Sequence, residues 1–154
     1  MYKPTKNISF ADLAIAERKI NKSFFNSINK IINWNKIEKL INQNYSKGKR
    51  TDGRPAYSGL LLFKFCLLEE WFDIKNNHIE DCVNDSLSFT YFAGLTLEDE
   101  IPSRSTIRNF KNELKQKGEF LNLINEVEKQ LKANNVELIK GVIRYPKLKI
   151  KVDD

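Results

Sequence analysis

Apolar residues crowd into one stretch of the chain and thin out to stripes on either side of it. In Ser58–Phe72 ten of fifteen positions are Leu, Phe, Cys or Trp. A run that is apolar on every side of a 3.6-residue period predicts a helix enclosed by other elements. Ser58 suits its N-cap, and Tyr57 before it can pack back on the first turn. A bilayer span needs about 20 apolar residues. Lys64 interrupts this run, and Glu69 and Glu70 close it. Lys64 can snorkel its ammonium toward water, so the burial need not be uniform.

The flanking segments read as amphipathic cover for that core helix. Ser9 followed by Asp12 resembles a capping box, with Leu13, Ala16 and Ile20 at helical spacing through about Asn21. A second helix is predicted over Phe24–Ile32, and a third from near Asn35 with Ile37, Leu40 and Ile41 as its stripe. Beyond the core helix come Asn76–Asn84, capped by Asn76 or Asn77, and Ser86–Ala93, closed by Gly94. Thr96–Pro102 is an acidic turn, and Pro102 disfavours helix before it. Ser103 then caps Arg104–Lys117, and Glu119–Ala133 follows as a last amphipathic helix with mixed charges. Past Asn135 the chain turns β-branched, over Leu138–Ile143 and Lys147–Asp153. That suggests the opening of a sheet, and an isolated hairpin is marginal in water, so a loosely held tail is expected.

Charge divides the chain into three. Residues 1–55 carry 12 basic and 4 acidic side chains, 56–100 carry 2 and 9, and 101–154 carry 12 and 7. Two basic flanks around an acidic, apolar middle suggest a polyanion touched by the ends of the sequence. At 154 residues and 41% hydrophobic the chain has the size and core of one ordinary domain. No secretory segment is evident, and two cysteines without one imply a reducing, cytoplasmic setting with free thiols.

Two basic features are candidates for contact. Ser46–Pro55 carries Lys47, Lys49, Arg50 and Arg54 among two glycines and a proline. It is either a solvated connector or a loop whose cations displace counterions from phosphates. In Arg104–Lys117, Ile107, Phe110 and Leu114 form an apolar stripe, and Arg104, Arg108, Lys111 and Lys115 a basic one beside it. Ser105, Asn109, Asn112 and Gln116 extend that surface, and Glu113 alone places a carboxylate on it. Arg and Lys suit phosphate or guanine, while Asn and Gln pair bidentately with adenine. The surface is therefore either a solvated helix face or a groove-reading one. Helix–turn–helix packing followed by a capped polar helix is the order of a major-groove reader.

Signatures of catalysis are sparse. No Gly-rich phosphate loop, nucleophile elbow or zinc pattern is present. His78 and Cys82 lie one helical turn apart, but closed metal sites want four ligands, so no metal is assigned. Asp153 follows an alternating strand, a position from which a carboxylate can hold Mg2+ in a two-metal site if acids from further strands join it.

Several segments, taken in order, resemble a known family. They are Ser9-Phe10-Ala11-Asp12-Leu13, Ile32-Asn33-Trp34, Gly53-Arg54-Pro55-Ala56-Tyr57 and the Leu-rich helix ending in Trp71-Phe72. Asp85-Ser86-Leu87-Ser88-Phe89, Phe92-Ala93-Gly94-Leu95, Ile101-Pro102-Ser103 and Thr106-Ile107-Arg108-Asn109-Phe110 complete the set. Together they resemble the N-terminal region of bacterial insertion-sequence transposases of the IS-five (InsH-like) family, over residues 9–133.

The resemblance implies a mainly α fold: a compact multi-helix domain with a helix-turn-helix-like unit and a short β-like C-terminal tail. Residues 1–135 would form the helical DNA-binding domain, and 136–154 the start of a catalytic domain or a tail. The implied partner is double-stranded DNA at the terminal inverted repeats of the element, in the bacterial cytoplasm at the nucleoid, with no membrane. By its own pattern Glu119–Ala133 could pack on the core or pair with a second copy, as a homodimer or with full-length transposase. DNA-contacting residues would be Arg104, Ser105, Arg108, Asn109, Lys111, Asn112 and Lys115, with Lys47, Lys49, Arg50 and Arg54 on phosphates. In the family an RNase-H-like domain with an Asp-Asp-Glu triad holds Mg2+. Val152-Asp153 would be the first of those acids, though Asp154 stands where Ala is usual. With the second and third acids missing, the chain is expected to be catalytically incomplete, a fragment or a decayed or shifted reading frame, and to need no cofactor. Rival readings are an inhibitory module that pairs with intact transposase and a decayed product without function.

Overall fold

Ser58 starts the central helix as its sequence predicts. In the computed structural model, which describes residues 22–45, 57–139 and 147–150, the Leu61 amide donates to Ser58 Oγ at 3.0 Å. The described helices are α1 (Lys22–Ile31), α2 (Trp34–Asn44), α3 (Gly59–Trp71), α4 (Asn76–Asp85), α5 (Leu87–Ala93), α6 (Arg104–Gln116) and α7 (Glu119–Ala133). Strands β1 (Val136–Ile139) and β2 (Lys147–Ile150) follow. The fold is mainly helical, as expected, and α3 is its axis. The predicted helix through Asn21 lies outside the described residues.

The all-round apolarity of α3 is used on all sides. Leu62, Phe63, Phe65, Cys66, Leu67, Leu68 and Trp71 are buried, and α2, α4, α5 and α6 pack against this helix. Gly59 lets α2 approach closely, since an added Cβ would overlap Ile41 Cγ2. At the other end of α3 an aromatic cluster closes the core. Phe25 stacks on Phe92 with centroids 4.7 Å apart, and Phe72 meets Phe89 edge-on at 4.6 Å. α2 is also tied to α7, where the Asn33 amide donates to Gln130 Oε1 and Lys36 pairs with Glu126 at 2.9 Å. The Cys66 and Cys82 thiols are free, and burial pushes both above the ordinary thiol pKa.

Three local expectations change. Lys64 does not reach for water. Its ammonium donates to the Phe92 carbonyl at 3.1 Å and lies 4.7 Å from the Trp34 ring centroid. Burial lowers its pKa from 10.5 to about 8, with Glu38 opposing the shift. Asn76 and Asn77 do not cap α4: the N-cap is Lys75, with no side-chain bond, and Asn76 is the first helical residue. β1 starts two residues before its β-branched pattern suggested, while β2 starts at Lys147 as that pattern predicts. β1 and β2 pair antiparallel with Val136 opposite Ile150, and β1 packs on α7 with Val136 buried. That docking supplies the apolar burial an isolated hairpin lacks.

Candidate nucleic-acid interface

α6 owes its start to two residues ahead of it. Pro102 is buried, and Ser103 Oγ accepts the Thr106 amide at 3.2 Å. From there the three-residue apolar stripe seats the helix: Ile107, Phe110 and Leu114 are buried, and α3, α4 and α7 pack against it. Tyr45 lays its ring edge-on to Phe110 at 4.9 Å. The remaining surface of α6 faces away from this seat. Arg104, Ser105, Arg108, Asn109, Asn112, Lys115 and Gln116 are exposed, and Lys111 and Glu113 are half-buried. No carboxylate among the described residues pairs with Arg104 or Arg108.

The basic stripe is continuous by spacing, but its surroundings divide it. Gly118, at φ +71°, turns the chain so that α7 packs on α6. Phe120 comes to lie beside the two lysines, with Lys111 Nζ 5.4 Å and Lys115 Nζ 5.6 Å from its ring centroid. Beneath them Glu69 of α3 is buried at 6% exposure, and its Oε1 has no hydrogen-bond partner among the described residues. Burial raises the Glu69 pKa, while Lys111, the Asn76 amide and Lys115 pull it back. Among the described residues no ring lies over the Arg104 or Arg108 guanidinium, and no carboxylate pairs with either.

Both ends of α6 are gripped through polar atoms that sequence reading did not single out. The Arg104 amide donates to Glu80 Oε1 at 2.8 Å, and Asn76 Nδ2 donates to the Arg104 carbonyl at 3.1 Å. At the other end Lys117 Nζ donates to the Asn44 carbonyl. The i,i+4 spacing of Asn76 and Glu80 places them on one face of α4. Nothing in the local pattern names their partner, 24 and 28 residues onward.

Of the predicted contact residues, the structure gathers Arg104, Ser105, Arg108, Asn109 and Asn112 on one exposed surface. It sets Lys111 and Lys115 beside Phe120. Lys47, Lys49, Arg50 and Arg54 lie outside the described residues. Tyr45 and Tyr57, which bracket that basic segment, are half-buried against the core. Asp153 also lies outside the described residues. Among them no three His, Cys, Asp or Glu side chains converge on a common point. His78 is exposed and Cys82 half-buried. No described helix is long and apolar enough to cross a membrane.

Chemically, the bare face offers guanidinium groups for bidentate bonds to guanine or phosphate. Its side-chain amides both donate and accept, as adenine requires. Residues 14–113 match the family model described as "Transposase domain (DUF772)". No solved structure matches the chain.

Proposed function

Since the chain belongs to the DUF772 transposase-domain family, we propose that it binds duplex DNA at the terminal inverted repeats of an insertion element. The affiliation within that family is to the IS-five (InsH-like) transposases. α4 and α5 act as the helix-turn-helix-like unit, α6 packs on α4, and the first two turns of α6 enter the major groove. Arg104, Ser105, Arg108, Asn109 and Asn112 present to base edges, where residues near the N-terminus of a recognition helix normally read. Lys111 and Lys115 flank the groove. Lys47, Lys49, Arg50 and Arg54 contact phosphates. Strand cleavage is assigned to no residue of this chain.

One observation carries the reading. A helix seated by Ile107, Phe110 and Leu114 leaves two arginines and two asparagines exposed together. A face that served only solubility would be expected to mix in carboxylates. Gel shifts across a salt series, on duplexes carrying the inverted repeats that flank the gene, test it. The expected result is binding that weakens with salt and exceeds binding to a scrambled duplex. Equal binding to both leaves only electrostatics, and no binding at low salt ends the proposal.

A further inference from the structure

Ile107 is the first buried apolar side chain of α6, so Arg104, Ser105 and Thr106 ahead of it have none of their own. Apolar contacts are non-directional and resist rocking of a helix end poorly. Beyond the buried Pro102 and the Ser103 cap ahead of it, what holds Arg104 is polar and comes from a single face of α4. Glu80 accepts the Arg104 amide, and Asn76 donates to the Arg104 carbonyl, so both backbone groups of one residue are fixed. Asn76 also lies close enough to the buried Glu69 carboxylate of α3 to oppose the rise of its pKa. Ser103 already supplies the ordinary cap of α6, so the α4 grip adds orientation to a helix start that is already closed.

We propose that Asn76 and Glu80 are positioning residues for DNA recognition, setting the angle at which Arg104 and Arg108 reach the groove. The inference rests on α6 being the reading helix. Glu80 has a second consequence. Helix N-termini attract phosphates, and a carboxylate on the Arg104 amide occupies that end and repels them. The N-terminus of α6 is thereby kept from docking on backbone at any sequence, and contact falls to its side face.

The test compares affinity for the flanking inverted-repeat duplex with affinity for its scrambled counterpart, alongside melting temperatures. Glu80→Ala and Asn76→Ala are each expected to lower that ratio about tenfold, the size of one lost base discrimination. Binding to the scrambled duplex is expected to hold or tighten. Glu80→Gln keeps an accepting oxygen, so it should retain the ratio while binding both duplexes more tightly, because a negative charge is gone. Ser86→Ala, which removes the side-chain cap of α5, supplies a matched loss of stability away from α6 and should keep the ratio. The proposal is overturned if Glu80→Ala keeps the ratio, if Glu80→Gln loses it equally, or if Ser86→Ala lowers it as much. Wild-type protein that binds both duplexes equally removes the functional reading first, and this inference with it.

Discussion

The two halves of the basic stripe on α6 share residue type and spacing, and the fold treats them differently. Arg104 and Arg108 stand on the N-terminal half, exposed, their guanidinium groups without a carboxylate partner among the described residues. Lys111 and Lys115 stand on the C-terminal half, beside the Phe120 ring and above the buried Glu69. The cause is the turn at Gly118, after which Phe120 of α7 comes to lie beside these two lysines. A basic stripe is thus a property of a helix, while a basic surface is a property of the helix together with its neighbours. The arginine half has what a duplex needs: cations and amides not already committed inside the protein.

The comparison is broken outright if α6 loses its seat. Phe110→Ala removes a buried ring that also supports Tyr45, and should cost about 3–5 kcal/mol of stability by denaturant titration. Both halves of the stripe would then lose their geometry, and sequence preference with it. Arg108→Ala is the sharper instrument. It should leave stability within about 0.5 kcal/mol, since the side chain is exposed. It should cost about 1–3 kcal/mol of preference for the inverted repeat, read as the ratio of affinities for specific and scrambled duplex. An unchanged ratio would move the reading surface away from this half of the helix.

Glu69 lies under the lysine half, and its effect is on stability and pH. Its folded pKa is raised above the usual 4.5 by burial. The folded state therefore binds more protons than the unfolded one between those two values. Wild-type stability is full below the unfolded pKa and falls as pH rises through the folded one. Glu69→Gln cannot ionise and keeps an oxygen for Asn76. It should be more stable than wild type by about 1 kcal/mol at neutral pH, with the gap closing below the usual pKa. Melting curves across that range check it. A gap independent of pH would show that the buried carboxylate is not the source.

These expectations differ in how much of them the sequence carries. The all-apolar run of α3 could only be a core helix, and Ser58, Ser103 and Gly94 announce helix ends through local chemistry that needs no tertiary context. The seat of α6 was legible for the same reason, because Ile107, Phe110 and Leu114 repeat at helical spacing. Its division into two halves was not. Phe120 reads as one more apolar residue of the next helix, and only the direction of the Gly118 turn aims its ring at the lysines. Asn76 was read as a cap because Asn at a helix start usually is one. The structure instead spends its amide on a carbonyl 28 residues away, a partner that no window along the chain contains. Lys64 misled for a related reason: the carbonyl of Phe92 and the face of Trp34 substitute for the water it was expected to seek.

The smallest effect bears most directly on whether the two halves differ. Lys115 is exposed, yet its ammonium lies 5.6 Å from the Phe120 centroid. Lys115→Ala should lower affinity for specific and scrambled duplexes alike, and reduce the slope of log affinity against log salt by about 1, the mark of one phosphate contact. In a double-mutant cycle with Phe120→Leu, which keeps an apolar side chain but removes the ring face, the coupling in stability should be about 0.5 kcal/mol. The affinity ratio should not move. If Lys115→Ala instead erodes the ratio as far as Arg108→Ala does, the ring does not separate the halves, and the whole stripe reads bases as one surface.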